Sequence, residues 1–166
     1  MTKTEILQII TGFLGSCGFA VLFNIRGKRL AGAAIGGLLS WALFVLLGYW
    51  IASEPLRYFI VSVTMSAYSE ILARLLRTPT TTFIMTALVP LIPGGSLYYT
   101  MAHALSGEWT DFSGRAIYTA QLAVALALGI VLTAAVMRFF VRPIHRKRES
   151  KNDKSTDKTV SADGNQ

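Results

Sequence analysis

The chain has 166 residues, of which 52% are hydrophobic and 15% charged, whereas soluble globular domains average about 45–50% apolar and about 25% charged residues. That balance excludes an ordinary water-soluble domain and points to the membrane. The net charge of +7 is no signature of nucleic-acid binding, because half of the basic residues lie at or beyond Arg138 and no Phe, Tyr or Trp is interleaved between Arg142 and Lys158 to stack on bases.

The N-terminal apolar run is expected to be a retained first helix and not a cleaved leader. Lys3 is the one cation ahead of it, Glu5 offsets that charge, and the run continues past Cys17 to Phe23. Cys17, the single cysteine, has no partner for an internal disulfide and in apolar surroundings behaves as a small hydrophobe. Four further apolar runs follow at Ala31–Ala52, Tyr58–Leu76, Thr80–Leu105 and Ala116–Phe140, the first one being Ile6–Phe23. A spanning helix needs about 20 mostly apolar residues, so the expected fold is all-α, a polytopic bundle of about five transmembrane helices.

The links between the runs alternate in charge. Arg26, Lys28 and Arg29, then Arg74 and Arg77, then the cations from Arg138 onward fall on one side; Glu5, Glu54, Glu108 and Asp111, with Lys3, Arg57 and Arg115, fall on the other. Cytoplasmic loops hold the excess of Lys and Arg, which puts the C-terminus inside and the N-terminus outside in a cell (inner) membrane. The aromatic pairs Tyr49 and Trp50, Tyr58 and Phe59, and Trp109 and Phe112 anchor the outer interface. Residues 1–141 form the membrane domain, and 142–166, with almost nothing to bury, are expected to be a disordered polar tail.

Within the runs, Gly12, Ser16 and Ala20, and again Gly32, Gly36 and Ser40, recur every fourth residue. Such stripes let helices approach closely in lipid, although chance in a Gly- and Ala-rich chain gives the same pattern. The fourth run is interrupted by Pro90, Pro93, Gly94 and Gly95. Proline removes a backbone donor and glycine permits unusual dihedrals, so the helix is expected to break between Pro90 and Ser96. Freed backbone groups at membrane depth must face protein or water; the break is either a binding site for an anionic substrate group or a kink repaired by neighbouring helices. As a site it would use the amides of Gly94, Gly95 and Ser96, with Tyr98, Tyr99 and Thr100 as nearby donors.

Glu70 is the one acid inside the apolar runs away from their ends, four residues before Arg74 on the same helix face. It is either a proton-carrying group or half of a structural ion pair near the inner interface. His103 is taken as an interfacial hydrogen-bonding residue, and Thr78-Pro79 as a helix start. No nucleophile elbow, metalloprotease helix or phosphate-binding Gly-Lys motif occurs, so neither an enzyme nor a cofactor or metal is expected.

Three segments, Tyr68-Ser69-Glu70-x-x-Ala73-Arg74, Pro79-x-x-x-Phe83 and Pro90-Leu-Ile-Pro93-Gly94-Gly95-x-x-Tyr98-Tyr99, resemble the second membrane half of the threonine/serine exporter family, which occurs fused to or split from the first. The resemblance runs from the first helix to the fifth. It implies export of small amino acids driven by the proton gradient, with Glu70 and Arg74 coupling or gating; some split relatives are linked to dicarboxylate export. The first half of the family pattern is absent, so a larger partner subunit is implied, with the substrate site where the halves meet. The alternatives are a dicarboxylate exporter subunit, or a scaffold that does not transport.

Overall fold

The computed structural model describes the backbone of residues 3–163 and the side chains of residues 3–139, and all its regular elements among the described residues are helical. They are α1 (Lys3–Leu22), α2 (Lys28–Gly48), α3 (Glu54–Leu76), α4 (Thr80–Leu88), a 3-10 turn (Val89–Leu91), α5 (Gly94–Leu105) and α6 (Trp109–Asp163). The helices α1, α2, α3 and the Trp109–Phe139 part of α6 are each long and apolar enough to cross a membrane. Thr80–Leu91 and Gly94–Leu105 make a fifth span if the bent pair is counted as one. The boundary at residue 141, and the disorder expected of 142–166, fall on residues whose side chains lie outside the described ones.

Local chemistry explains the element ends. Pro55 is the second residue of α3, after Ser53 and Glu54, in the first turn where its missing N–H costs nothing. The helix closes at Arg77, a left-handed residue (φ 49°) whose N–H bonds the Ala73 carbonyl. The Thr78 hydroxyl donates to the Leu76 carbonyl at 3.0 Å, so Thr78 finishes α3 instead of capping α4, whose preceding residue is Pro79. The expected break is present: Thr80–Leu91 and Gly94–Leu105 are bent by 57°. Pro90 and Pro93 supply no amide hydrogen, and Ile92, as a residue before proline, is extended (φ −62°, ψ 122°).

The second helix packs on two sides through glycine. A Cβ on Gly37 would overlap the Ser16 hydroxyl of α1, while one on Gly36 would lie 3.1 Å from Tyr68 of α3 and 3.2 Å from Ala87 of α4. The Tyr68 hydroxyl also donates to the Gly32 carbonyl at 3.0 Å. Both stripes therefore do act in packing, and Ser16, Ala20, Gly32, Gly36 and Ser40 are buried. Two apolar clusters result: Ala20, Ile25, Ala33, Ala73 and Phe83 in one, and Phe44, Tyr58, Val61, Met65, Leu88, Leu91 and Leu122 in the other. The last helix joins α3 where Gly129 meets Ser62 and where the Thr133 hydroxyl reaches the Val63 carbonyl at 3.3 Å. Leu7, Leu14 and Val21 of α1, and Val124, Leu128 and Val131 of α6, remain exposed, which is the surface a bilayer covers.

Candidate functional site

The break begins from Pro90, which does not face an opening. A Cβ on Gly12 would lie 3.4 Å from the Trp41 Cβ and 3.6 Å from the Pro90 Cβ, so α1 crosses close over both. The chain turns at Pro93, the Gly94 N–H reaches back to the Ile92 carbonyl at 2.6 Å, and the Leu97 N–H bonds the Pro93 carbonyl at 3.0 Å. The amides of Gly95 and Ser96 lie in the first turn of α5, where no intrahelical acceptor exists. Gly94 and Gly95 are exposed, with open space where a side chain would stand. The result is a half-helix whose positive end is reachable from outside the bundle.

The neighbouring predicted residues divide. The Ser96 hydroxyl pairs with Thr119 of α6 at 2.7 Å, and Thr100 lies 3.1 Å from the same oxygen, so these hydroxyls tie α5 to α6. Tyr98 and Tyr99 are exposed and meet edge to face at 5.5 Å, and the Arg115 guanidinium lies 5.7 Å from the Tyr99 ring centre.

Glu70 and Arg74 form an ion pair at 3.0 Å, their side chains 27% and 45% exposed. Among the described residues, no hydrogen bond, ion pair or ring contact links this pair to the segment Gly94–Tyr99. His103 is hydrogen-bonded to Glu108 at 2.7 Å. With Asp111 these two place their ligand atoms within 4.8 Å of one another, beside an open cavity of about 670 Å³ that Glu54 and Arg115 also line.

A family model described as Threonine/Serine exporter, ThrE, matches residues 8–136. The chain belongs to the threonine/serine exporter family. The match takes in every helix that carries the break, the ion pair and the glycine contacts. This exporter-family chain is a multi-pass membrane protein of transport type. No curated protein and no solved structure matches it.

Two features of the exporter were not picked out by sequence reasoning. Ser62, Ser66 and Ser69 form a buried polar line along α3, and among the described residues the hydroxyls of Ser66 and Ser69 have no hydrogen-bond partner. Their spacing inside an apolar run was a visible signal. The second is a cleft of about 280 Å³ between α1, α2 and α3, lined in part by Glu5, Trp41, Phe44, Tyr49 and Arg57. Its charged members are ordinary helix-end residues in sequence, and only folding brings them together.

Proposed function

We propose that this chain is the small half of a secondary-active exporter of small amino acids of the threonine and serine kind, completed by a larger homologous membrane subunit and driven by the proton gradient. The observation that carries the proposal is the mid-span bend, which leaves Gly94 and Gly95 open at the N-terminus of α5. An accessible half-helix end attracts the substrate carboxylate through free amides and the helix dipole. Pro90 and Pro93 hold the break open, Ser96 anchors it to α6, and Tyr98 and Tyr99 line the approach.

In this scheme Glu70 and Arg74, paired on one face of α3, couple or gate transport. The exposed face around Gly94, Gly95 and Tyr98 is where the larger subunit would close the site, since freed backbone at membrane depth cannot stay in contact with lipid. The chain sits in the cell membrane with its N-terminus outside and the 142–166 tail in the cytoplasm.

The test is efflux of preloaded threonine, serine and succinate from cells expressing this chain with and without a co-expressed larger subunit. Efflux of threonine or serine that needs both chains supports the proposal. Succinate efflux alone would reassign the substrate to dicarboxylates. Unchanged efflux of all three, with both chains present in the membrane, overturns transport in favour of a scaffold.

A further inference from the structure

The cleft between α1, α2 and α3 carries both signs of charge around an aromatic floor. Arg57, in the first turn of α3, lays its guanidinium 4.9 Å from the Phe44 ring centre. Phe44 in turn stacks on Trp41 at 5.3 Å. Gly48 makes room for the cation, because a Cβ there would stand 2.9 Å from the Arg57 Nη1. Across the opening, Glu5 of α1 accepts a hydrogen bond from the Tyr49 hydroxyl at 2.7 Å.

Two donors in this cleft are hidden and unused. Among the described residues, the Arg57 Nε and the Trp41 Nε1 are buried without a hydrogen-bond partner. A buried donor left unsatisfied is costly, and natural structures keep such a group where a ligand or water completes the bond. Trp41 and Arg57, the residues that carry these donors, both line the same cleft.

We propose that this cleft recognises a small zwitterionic α-amino acid, with Arg57 and the Trp41 indole N–H receiving its carboxylate and Glu5 receiving its ammonium group. The inference rests on the exporter function above and adds a second station for the same substrate. A guanidinium presents a planar fork of donors that matches a carboxylate. A carboxylate offers about four lone-pair sites, so Glu5 can accept from an ammonium group alongside its existing partners, of which Tyr49 is one. The cavity of about 280 Å³ falls at or below the ~300–1,000 Å³ range of drug-sized sites, which suits a metabolite of a few heavy atoms. A dicarboxylate would set its second carboxylate against Glu5 and is disfavoured. A Cβ on Gly12 would lie within 3.6 Å of both Trp41 and Pro90, so the floor of the cleft adjoins the helix break, and the two stations are neighbours.

The experiment uses the full chain carrying Trp50→Phe and Trp109→Phe, in phosphatidylcholine nanodiscs, so that Trp41 alone reports by fluorescence. Trp50 and Trp109 are 88% and 69% exposed, so their replacement by Phe is expected to leave the bundle folded. Titration with L-threonine is expected to give a saturable shift. L-Threoninol, which lacks the carboxylate, and succinate, which lacks the ammonium group, are expected to bind at least roughly tenfold more weakly, the scale of one charge-assisted contact. Arg57→Gln is expected to weaken threonine binding by a similar factor. Gly48→Ala, which displaces only the end of a flexible side chain, is expected to weaken it with no loss of folded protein.

Equal binding of threonine and threoninol, or undiminished binding by Arg57→Gln, overturns the proposal. So does succinate binding as tight as threonine binding. A Trp41 shift produced by phosphatidylethanolamine in the disc, with no response to threonine, assigns the cleft to a lipid headgroup and also overturns it. Efflux separates this failure from failure of the transport function. Threonine efflux that survives Arg57→Gln sinks the cleft and keeps the exporter, whereas Arg57-dependent binding without any efflux supports the cleft and sinks the exporter.

Discussion

Gly37 of α2 meets Ser16 of α1 so closely that a Cβ on the glycine would overlap the serine hydroxyl, and both residues are buried. Helices separated by so little gain dispersion contacts that lipid cannot supply, and the same closeness leaves no room for growth at that point. Gly37→Ala is therefore expected to push α1 away from α2 and cost about 1–3 kcal/mol, the usual range for overpacking. Thermal unfolding of the purified chain in detergent checks this. Gly15→Ala is the control, because its position has open space and its melting temperature should not fall.

Gly95 presents the opposite situation. Nothing lies within 4 Å of a Cβ built there, so Gly95→Leu has no packing penalty in this chain. If the α5 N-terminus receives substrate, the leucine blocks it and efflux falls to background with membrane levels unchanged. Efflux and immunoblotting of the same cells decide it; normal efflux would remove Gly95 from the site.

The Glu70–Arg74 pair at 3.0 Å is partly open to its surroundings, and a pair of that kind contributes about 0–1 kcal/mol. Glu70→Gln should then change the melting temperature little while abolishing coupled efflux. Full efflux by Glu70→Gln, with a lower melting temperature, would make the pair structural.

The Tyr49 hydroxyl, just past the end of α2, is held above its ordinary pKa of 10.0, chiefly because it donates a hydrogen bond to Glu5. Folding favours the protonated phenol, so its contribution is complete below the ordinary value and is lost as pH rises through the raised one. Wild type is expected to melt above Tyr49→Phe at about pH 8, with the gap closing above about pH 10. A gap that stays constant across that range would show that the bond to Glu5 does not tie α1 to α2.

Much of this architecture was legible before folding was considered. Apolar runs of spanning length dictate helices because a backbone amide in hydrocarbon has no other acceptor. Pro90, Pro93, Gly94 and Gly95 dictate the break because proline lacks the amide hydrogen and crowds the preceding turn. The motif containing Glu70 and Arg74, read with that break, was enough to name the family.

Partner choice across the bundle was decided by tertiary structure alone. The sequence shows small residues at Gly32, Gly36 and Gly37 but not which helix each one meets, since the angle between helices sets that. It marks the Ser96 amide as a candidate donor to substrate, yet only the approach of α6 shows that the Ser96 hydroxyl pairs with Thr119. Arg57, Trp41 and Glu5 lie on three different helices, and in sequence Arg57 and Glu5 read only as charges on the outer side. Close packing of α1, α2 and α3 draws them into one cleft, because distance in space, which the order of residues does not encode directly, determines which charges and unpaired donors can act on one molecule.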